Sequence, residues 1–287
     1  MRVAVLGTGR IGGDLVEKIR RSPHLTCTLV AGRRASSEGL QRAAQHGLRT
    51  TDGGIDAVVA QADRYDLVFD ATNALAHRGH WEVLSAIGKR VVDLTPSHLG
   101  HMVVPTVNGH EAAHHDNINL VTCGGQATIP LLHALATQFP SIAYAELVTT
   151  ASSPSVGLAT RQNLDEYVLT TESAMHQLTG VPRVKCMLNV SPAEPPVDFR
   201  NTLSVLLPDA DPEALLRTVR EAVAKVQRFS NGYRLVAATM LTPERLSVTV
   251  AVRGRGDVLP AYAGNLDIIN DAAVTVAEGM ARRAERP

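Results

Sequence analysis

One short stretch, Gly7-Thr8-Gly9-Arg10-Ile11-Gly12, limits what this chain can fold into more than any other, because of its flanks. Val3 to Leu6 before it reads as a buried strand, and Ile11 to Arg20 after it sets Leu15, Val16 and Ile19 on one helical face. Between a strand and a helix the three glycines have separate mechanical uses. Gly7 permits the tight turn, Gly9 lets the backbone approach a pyrophosphate, and Gly12 lets helix and strand pack closely. The helix start, with Thr8, Arg10 and Ile11 around it, offers N–H groups to an anion. A glycine turn without a ligand is the plainer alternative, but the flanking elements favour a dinucleotide-binding loop.

The rest of the first half repeats this alternation. Strands are expected at Thr26 to Ala31, Leu67 to Asp70 and Arg90 to Leu94, with two more at Val103 to Val107 and Asn119 to Thr122. Helices are expected at Leu40 to His46, Ile55 to Gln61 and Trp81 to Ile87. Apolar runs separated by helices imply a parallel sheet covered on both faces. Later strands alternate in polarity: Tyr144 to Thr150, Val184 to Val190, Thr202 to Leu207, Tyr233 to Leu241 and Leu246 to Val252. Helices at Leu164 to Leu178 and Pro212 to Gln227 separate them, the latter with Asp211 as N-cap and Pro212 at its first position. The expected fold class is therefore α/β. A Rossmann dinucleotide-binding domain spans 1–125, an α+β substrate domain 126–264, and a C-terminal helix in 265–287 packs back on the first domain. A tight hinge is expected near Gly124 to Thr128.

Cys123 lies in Val121-Thr122-Cys123-Gly124-Gly125-Gln126, between an expected strand and a helix beginning at Thr128. Backbone N–H groups at such a place favour negative charge and lower a thiol's pKa, which makes the thiolate available as a nucleophile. A small core thiol is the alternative for Cys123, and the ordinary one for Cys27 and Cys186 in their strand-like runs. Three scattered cysteines argue against a disulfide framework or a zinc site, so no metal is expected. Formal net charge is zero, which removes the electrostatic case for nucleic acid or an anionic membrane. The chain opens directly on a strand, with no signal-like leader or membrane-length apolar run, and reduced thiols fit the cytoplasm, the expected location.

The second strand ends in Ala31-Gly32-Arg33-Arg34. A reader of NAD usually carries Asp or Glu there, on the ribose hydroxyls. Two guanidinium groups match a 2′-phosphate instead, or are solvated loop charges, so NADP stands beside NAD.

Val121-Thr122-Cys123-Gly124-Gly125-Gln126-Ala127-Thr128-Ile129-Pro130 resembles the active-site segment of the acylating (CoA-dependent) acetaldehyde dehydrogenases of aromatic-compound meta-cleavage pathways. Asp70-Ala71-Thr72, Asp93-Leu94-Thr95-Pro96, Asn163-Leu164-Asp165-Glu166, Pro192-Ala193-Glu194-Pro195-Pro196 and Leu259-Pro260-Ala261-Tyr262-Ala263-Gly264-Asn265-Leu266-Asp267 resemble the same family in the same order. The resemblance implies a two-domain architecture like that of glyceraldehyde phosphate and aspartate semialdehyde dehydrogenases, its second domain also serving dimerisation. It implies Cys123 as the acyl-thioester nucleophile and coenzyme A as co-substrate. It further implies cofactor contacts from Ser153, Pro154, Ser155, Val156, Gly157, Leu158, Ala159, Thr160, Arg161 and Asn265. A homodimer or hetero-oligomer, and a 4-hydroxy-2-oxovalerate aldolase partner, are also implied. The chain departs from the family at Gly157-Leu158-Ala159-Thr160, usually Gly-Pro-Gly-Thr, and at Asn201 and Arg34, where the family usually has an acid.

The chemistry expected is attack of Cys123 on an aldehyde carbonyl, an oxyanion held by backbone N–H groups after Gly124 and Gly125, oxidation to a thioester, and release to CoA. Asn201 or Gln126 would orient groups at the site or serve elsewhere. His98, His101, His110, His114 and His115 lack metal-ligand spacing and read as loop or surface residues, and His176 as a surface or interface residue. Two competing functions remain: a phosphorylating semialdehyde dehydrogenase-like enzyme, and a non-enzymatic dinucleotide-binding redox sensor.

Overall fold

Short apolar runs bounded by turn residues become the strands of a parallel sheet in the first half of the chain. They are β1 (Arg2–Leu6), β2 (Thr26–Ala31), β3 (Thr50–Thr51), β4 (Leu67–Asp70), β5 (Arg90–Asp93), β6 (His101–Met102) and β7 (Asn117–Asn119). Their order is β3-β2-β1-β4-β5-β7-β6, and every neighbouring pair is parallel. Helices α1 (Arg10–Arg20), α2 (Glu38–Gln45), α3 (Gly54–Val59), α4 (Ala74–Ala86) and α5 (Pro105–Asn108) connect them. The computed structural model describes residues 1–157, 161, 163–208 and 210–284. Two compact units divide the chain: Met1–Leu120 with the segment from Ile269 onward, and Val121–Ile268. These boundaries lie a few residues from the expected 125 and 264.

All four residues of β4 are buried, as a strand covered on both faces requires. The strand order reverses between β1 and β4, and Gly7 and Ala71 follow those two strands. Crevices outside the carboxyl ends of strands at such a reversal are where α/β sheets take ligands.

Three local expectations are corrected here. Val103 to Val107 is not a strand: β6 is brief, and Pro105 opens α5, where its missing N–H costs nothing. The last strand of the sheet is Asn117–Asn119, not Asn119 to Thr122. Helix α4 starts seven residues before Trp81, because Asn73 caps it by accepting from the Ala76 N–H at 3.0 Å.

In the second unit, α6 (Cys123–Gln138), β8 (Tyr144–Ser152), α7 (Leu164–Thr179), β9 (Val184–Ser191), β10 (Phe199–Leu206), α8 (Pro212–Gln227), β11 (Tyr233–Thr242) and β12 (Arg245–Val252) follow. Helix α9 (Gly264–Ala284) begins in this unit and continues into the first. The sheet order is β11-β12-β10-β8-β9, antiparallel except for β8 beside β9. Helix α6 packs against α7, α8 and β10. On β10 the inward positions are Phe199, Asn201, Leu203 and Val205, all buried, so Asn201 is an amide in an otherwise apolar row. The expected hinge at Gly124 to Thr128 is absent, since those residues lie inside α6. Among the described residues no helix is long and apolar enough to cross a membrane.

Candidate active site

Each unit offers one helix start with chemistry attached. In the first, Gly9 is the N-cap of α1; no side chain caps it and its first turn carries no acid. Gly7 has φ 104°, and a Cβ there would meet the Ala71 carbonyl oxygen at 2.6 Å. A Cβ on Gly12 would collide with the Gly7 carbonyl, whereas one on Gly9 would meet nothing. Gly7 thus makes the turn, Gly12 packs closely on it, and Gly9 faces open space. A helix start with no carboxylate in its first turn suits the phosphates of a dinucleotide. Thr8 Oγ1 lies 3.0 Å from Ser37 Oγ, and Arg33 and Arg34 are exposed just past β2. Among the described residues neither guanidinium has an ion pair.

A buried charged network supports this crevice, and only its two aspartates stood out in the sequence. Asp70 ends β4 and Asp93 ends β5. His77 Nδ1 lies 2.9 Å from Asp70 Oδ2, its Nε2 3.5 Å from Asp93 Oδ2, and His80 Nδ1 2.8 Å from Asp70 Oδ2. His77 and both aspartates are fully buried. Burial works against ionised Asp70, yet the hydrogen bonds from His77 and His80 hold it well below the usual carboxylate range. Burial also opposes a charged His77, but the two carboxylates raise it above 6.5. Asp93 is pushed up to about 6, by burial first, against the pull of His77.

In the second unit, Thr122 caps α6 by accepting from the Gly125 N–H at 3.0 Å, and Cys123 is the first helical residue. Val121 just before it has φ 62°, a left-handed conformation costing a β-branched residue roughly 1–3 kcal/mol. The Cys123 thiol donates to the Tyr167 hydroxyl oxygen at 3.9 Å, which also accepts from the Gly124 N–H at 3.2 Å. Tyr167 donates in turn to Thr149 Oγ1 at 3.5 Å, and Thr149 to Asn201 Oδ1 at 2.8 Å. A Cβ on Gly124 would collide with the Tyr167 hydroxyl and meet Thr149 Oγ1 at 2.6 Å. Side chains closing in require glycine there.

Two expectations about this thiol are corrected. Its pKa is raised to about 11, not lowered: burial outweighs the Tyr167 hydroxyl and the Gly124 N–H, which favour the thiolate. The N–H groups of Gly124, Gly125 and Gln126 are also committed, to Tyr167 Oη, Thr122 Oγ1 and the Thr122 carbonyl, so no helix N–H after Gly124 or Gly125 is open for an oxyanion. What separates Cys123 from the other cysteines is the exposure of the residue as a whole. It is half-buried, whereas Cys27 and Cys186 are buried and burial raises them to about 11 and about 12.

Ser153, Pro154 and Ser155 form a 3-10 turn after β8, and Val156 and Gly157 follow. Arg161 reaches back to the Ser153 carbonyl at 3.2 Å and its Oγ at 3.0 Å. Asn265 Nδ2 donates to the Ser155 carbonyl at 3.4 Å, which brings two expected cofactor positions together. Leu158, Ala159 and Thr160 lie outside the described residues. Of the histidines, His101 stacks on His115 and pairs with Glu111, and His176 Nδ1 lies 2.9 Å from the Val181 carbonyl. Among the described residues no group of three His, Cys, Asp or Glu side chains could hold a metal ion. Tyr167 and Thr149 were not foreseen. The available signal was polar residues at helical spacing, Tyr167, Thr170 and Thr171, on a face that turns out to be buried.

Residues 2–115 match the family described as semialdehyde dehydrogenase, NAD binding domain, and residues 123–260 the family described as prokaryotic acetaldehyde dehydrogenase, dimerisation. Along 99% of its length the chain is 51% identical to an acetaldehyde dehydrogenase of Streptomyces griseus, covering 91% of that protein. The chain belongs to the acetaldehyde dehydrogenase family. Two further members, from Pectobacterium atrosepticum and Geobacillus stearothermophilus, are 44% and 42% identical over 97% and 98% of this chain and 95% and 96% of theirs. Membership makes the protein an oxidoreductase with an NAD-binding domain, and the expected Rossmann-plus-α+β fold class agrees with both matched domains.

Proposed function

We propose that the chain is a CoA-acylating aldehyde dehydrogenase, converting acetaldehyde or propionaldehyde with CoA and NAD(P)+ into acyl-CoA and NAD(P)H through a thioester on Cys123. The observation that carries this is the half-buried Cys123 on the first residue of a capped helix, inside the segment matching the acetaldehyde dehydrogenase family. Cys123 loses its proton and adds through Sγ to the aldehyde carbon, leaving negative charge on the oxygen. NAD, when bound, supplies the hydride acceptor that turns this adduct into a thioester. The CoA thiolate then adds to the thioester carbonyl, the Cys123 C–S bond breaks, and acyl-CoA departs. Gly7, Thr8, Gly9, Arg10, Ile11 and Gly12 would hold the pyrophosphate. Ser153 to Arg161 and Asn265 would serve the nicotinamide half. Arg33 and Arg34, exposed where an acid would favour NAD, extend the reading to NADP. The segment matching a dimerisation domain supports a homodimer; an aldolase partner and a cytoplasmic location complete the proposal.

The test is NAD(P)H formation from acetaldehyde with CoA and then with phosphate, together with mass spectrometry after incubation with acetyl-CoA alone. CoA dependence and an acetyl group on the Cys123 peptide are expected. Phosphate dependence would instead establish the phosphorylating alternative, and activity without any adduct would overturn the thioester.

A further inference from the structure

Asp70 joins a helix to a turn through its two carboxylate oxygens. Oδ1 accepts from the Thr72 N–H at 3.1 Å and from the Thr72 hydroxyl at 2.5 Å, which fixes the turn after β4. Oδ2 lies 2.9 Å from His77 Nδ1 and 2.8 Å from His80 Nδ1. Asp70 is held ionised, and a carboxylate can only accept, so both Nδ1 atoms carry a proton and donate. His77 and His80 stand three positions apart on one face of α4. The far side of the His77 ring is anchored too: Nε2 lies 3.5 Å from Asp93 Oδ2 at the end of β5 and 3.3 Å from the Asn117 amide on β7. The turn so fixed is the wall of the dinucleotide loop. Its Ala71 N–H donates to the Leu6 carbonyl at 2.8 Å. A Cβ on Gly7 would stand 2.6 Å from the Ala71 carbonyl oxygen and 3.1 Å from the Thr72 nitrogen, and one on Gly12 3.7 Å from the Ala71 Cβ. Two of the loop's three glycines therefore rest on Ala71-Thr72, and any shift of that turn is passed to both.

We infer that His77 and His80 are positioning residues for the dinucleotide: through Asp70 they hold the Ala71-Thr72 turn against Gly7 and Gly12, and so set the loop that takes the pyrophosphate. His77, fully buried, does this without touching the cofactor. The physical reason is the cost of an unsatisfied buried charge. A fully buried carboxylate that loses the donors on one oxygen takes up a proton or leaves its place. The turn hanging on its other oxygen then moves with it, and the approach at Gly9 is no longer aligned with the start of α1.

This inference rests on Gly7 to Gly12 being the dinucleotide loop, and it is tested by binding, without turnover. The dissociation constant of NAD, or of NADP if the wild type takes only that, is measured by calorimetry for the full chain. An asparagine carries its amide nitrogen where the imidazole has Nδ1, and a glutamine where it has Nε2, so the two amides separate the Asp70 contact from the rest of the ring. His77→Leu and His77→Gln should weaken binding about tenfold, the equivalent of one hydrogen bond to a charged group. His77→Asn, which restores the donor to Asp70, should stay within about threefold of the wild type. Asparagine as weak as leucine overturns the inference, because a role in packing alone follows size and not the donor. If the variants at His77 do not fold, His80→Leu decides on a less buried side chain: an unchanged dissociation constant overturns the inference, and a loss of about threefold or more supports it. A wild type that binds neither dinucleotide would refute the loop and this inference together, whereas equal binding by the wild type, His77→Leu and His80→Leu would overturn the inference alone.

Discussion

The two helix starts look alike in sequence, each a strand end followed by glycines, yet the structure uses them in opposite ways. At Gly9 the start of α1 is uncapped, exposed and clear of any neighbour. At Cys123 the start of α6 is capped by Thr122, and its glycine is enclosed by Tyr167 and Thr149. The first leaves open space at Gly9, as binding a large anion requires. The second spends its N–H groups inward to hold one thiol in place. Glycine therefore means absence of contact at one site and excess of contact at the other.

The largest expected effect separates chemistry from binding. Cys123→Ala should lower turnover on the order of 10⁴-fold, since the nucleophile is removed outright, while leaving NAD affinity unchanged by calorimetry. Retained turnover would break the assignment of chemistry to α6. Next come the glycines. Gly12→Ala and Gly124→Ala should each destabilise the protein by about 1–3 kcal/mol in urea unfolding, because their methyl groups meet a carbonyl and a hydroxyl that must move. Gly9→Ala should stay within about 0.5 kcal/mol, having open space. Its cost should appear in ligand binding instead: roughly tenfold weaker NAD, with acetyl-adduct formation at Cys123 unaffected. A stability loss at Gly9, or none at Gly124, would erase the contrast.

How much of this was visible in the residues follows from the range of the forces involved. The Gly7, Gly9 and Gly12 spacing, the strand at Leu67–Asp70 and the Asp211-capped helix at Pro212–Gln227 are local, set by neighbours a few positions apart, and were legible. Cys123 stood out for the same reason. Its surroundings did not. Tyr167, Thr149 and Asn201 are 44, 26 and 78 positions away and meet it only because α7, β8 and β10 pack around α6. The direction of the thiol's pKa shift is not legible locally on the same account: a helix start is local and favours the thiolate, whereas burial is a property of the finished fold. The start of α6 itself was placed five residues late, at Thr128. Two glycines after Cys123 read as a turn, but Thr122 caps the backbone and carries them into the helix.

The comparison extends to what stands behind each site, and here the expected effect is a slope and the smallest of the set. Behind the nucleotide loop the network is ionised, Asp70 and Asp93 about His77, whereas behind Cys123 it is neutral. His77 has a folded-state pKa raised above its unfolded value of 6.5, so it binds more protons folded than unfolded. Its stabilisation is fully present below 6.5 and is lost as pH rises through the raised value. Asp93, raised from 3.8 to about 6, acts in the same sense at lower pH, its contribution fading as pH passes about 6. Asp70, held low, keeps its stabilisation at every pH above the usual carboxylate range and loses it only in strong acid. Thermal unfolding of the protein should therefore move to lower temperature as pH rises from 6.5 to 8.5, and His77→Gln should lack that component of the slope. The Tyr167→Phe protein should keep it unchanged, because the hydroxyl network behind Cys123 carries no charge in this range. Equal slopes in the wild type and His77→Gln would mean that His77 is neutral in the folded protein, and the contrast between an ionised and a neutral foundation would fail.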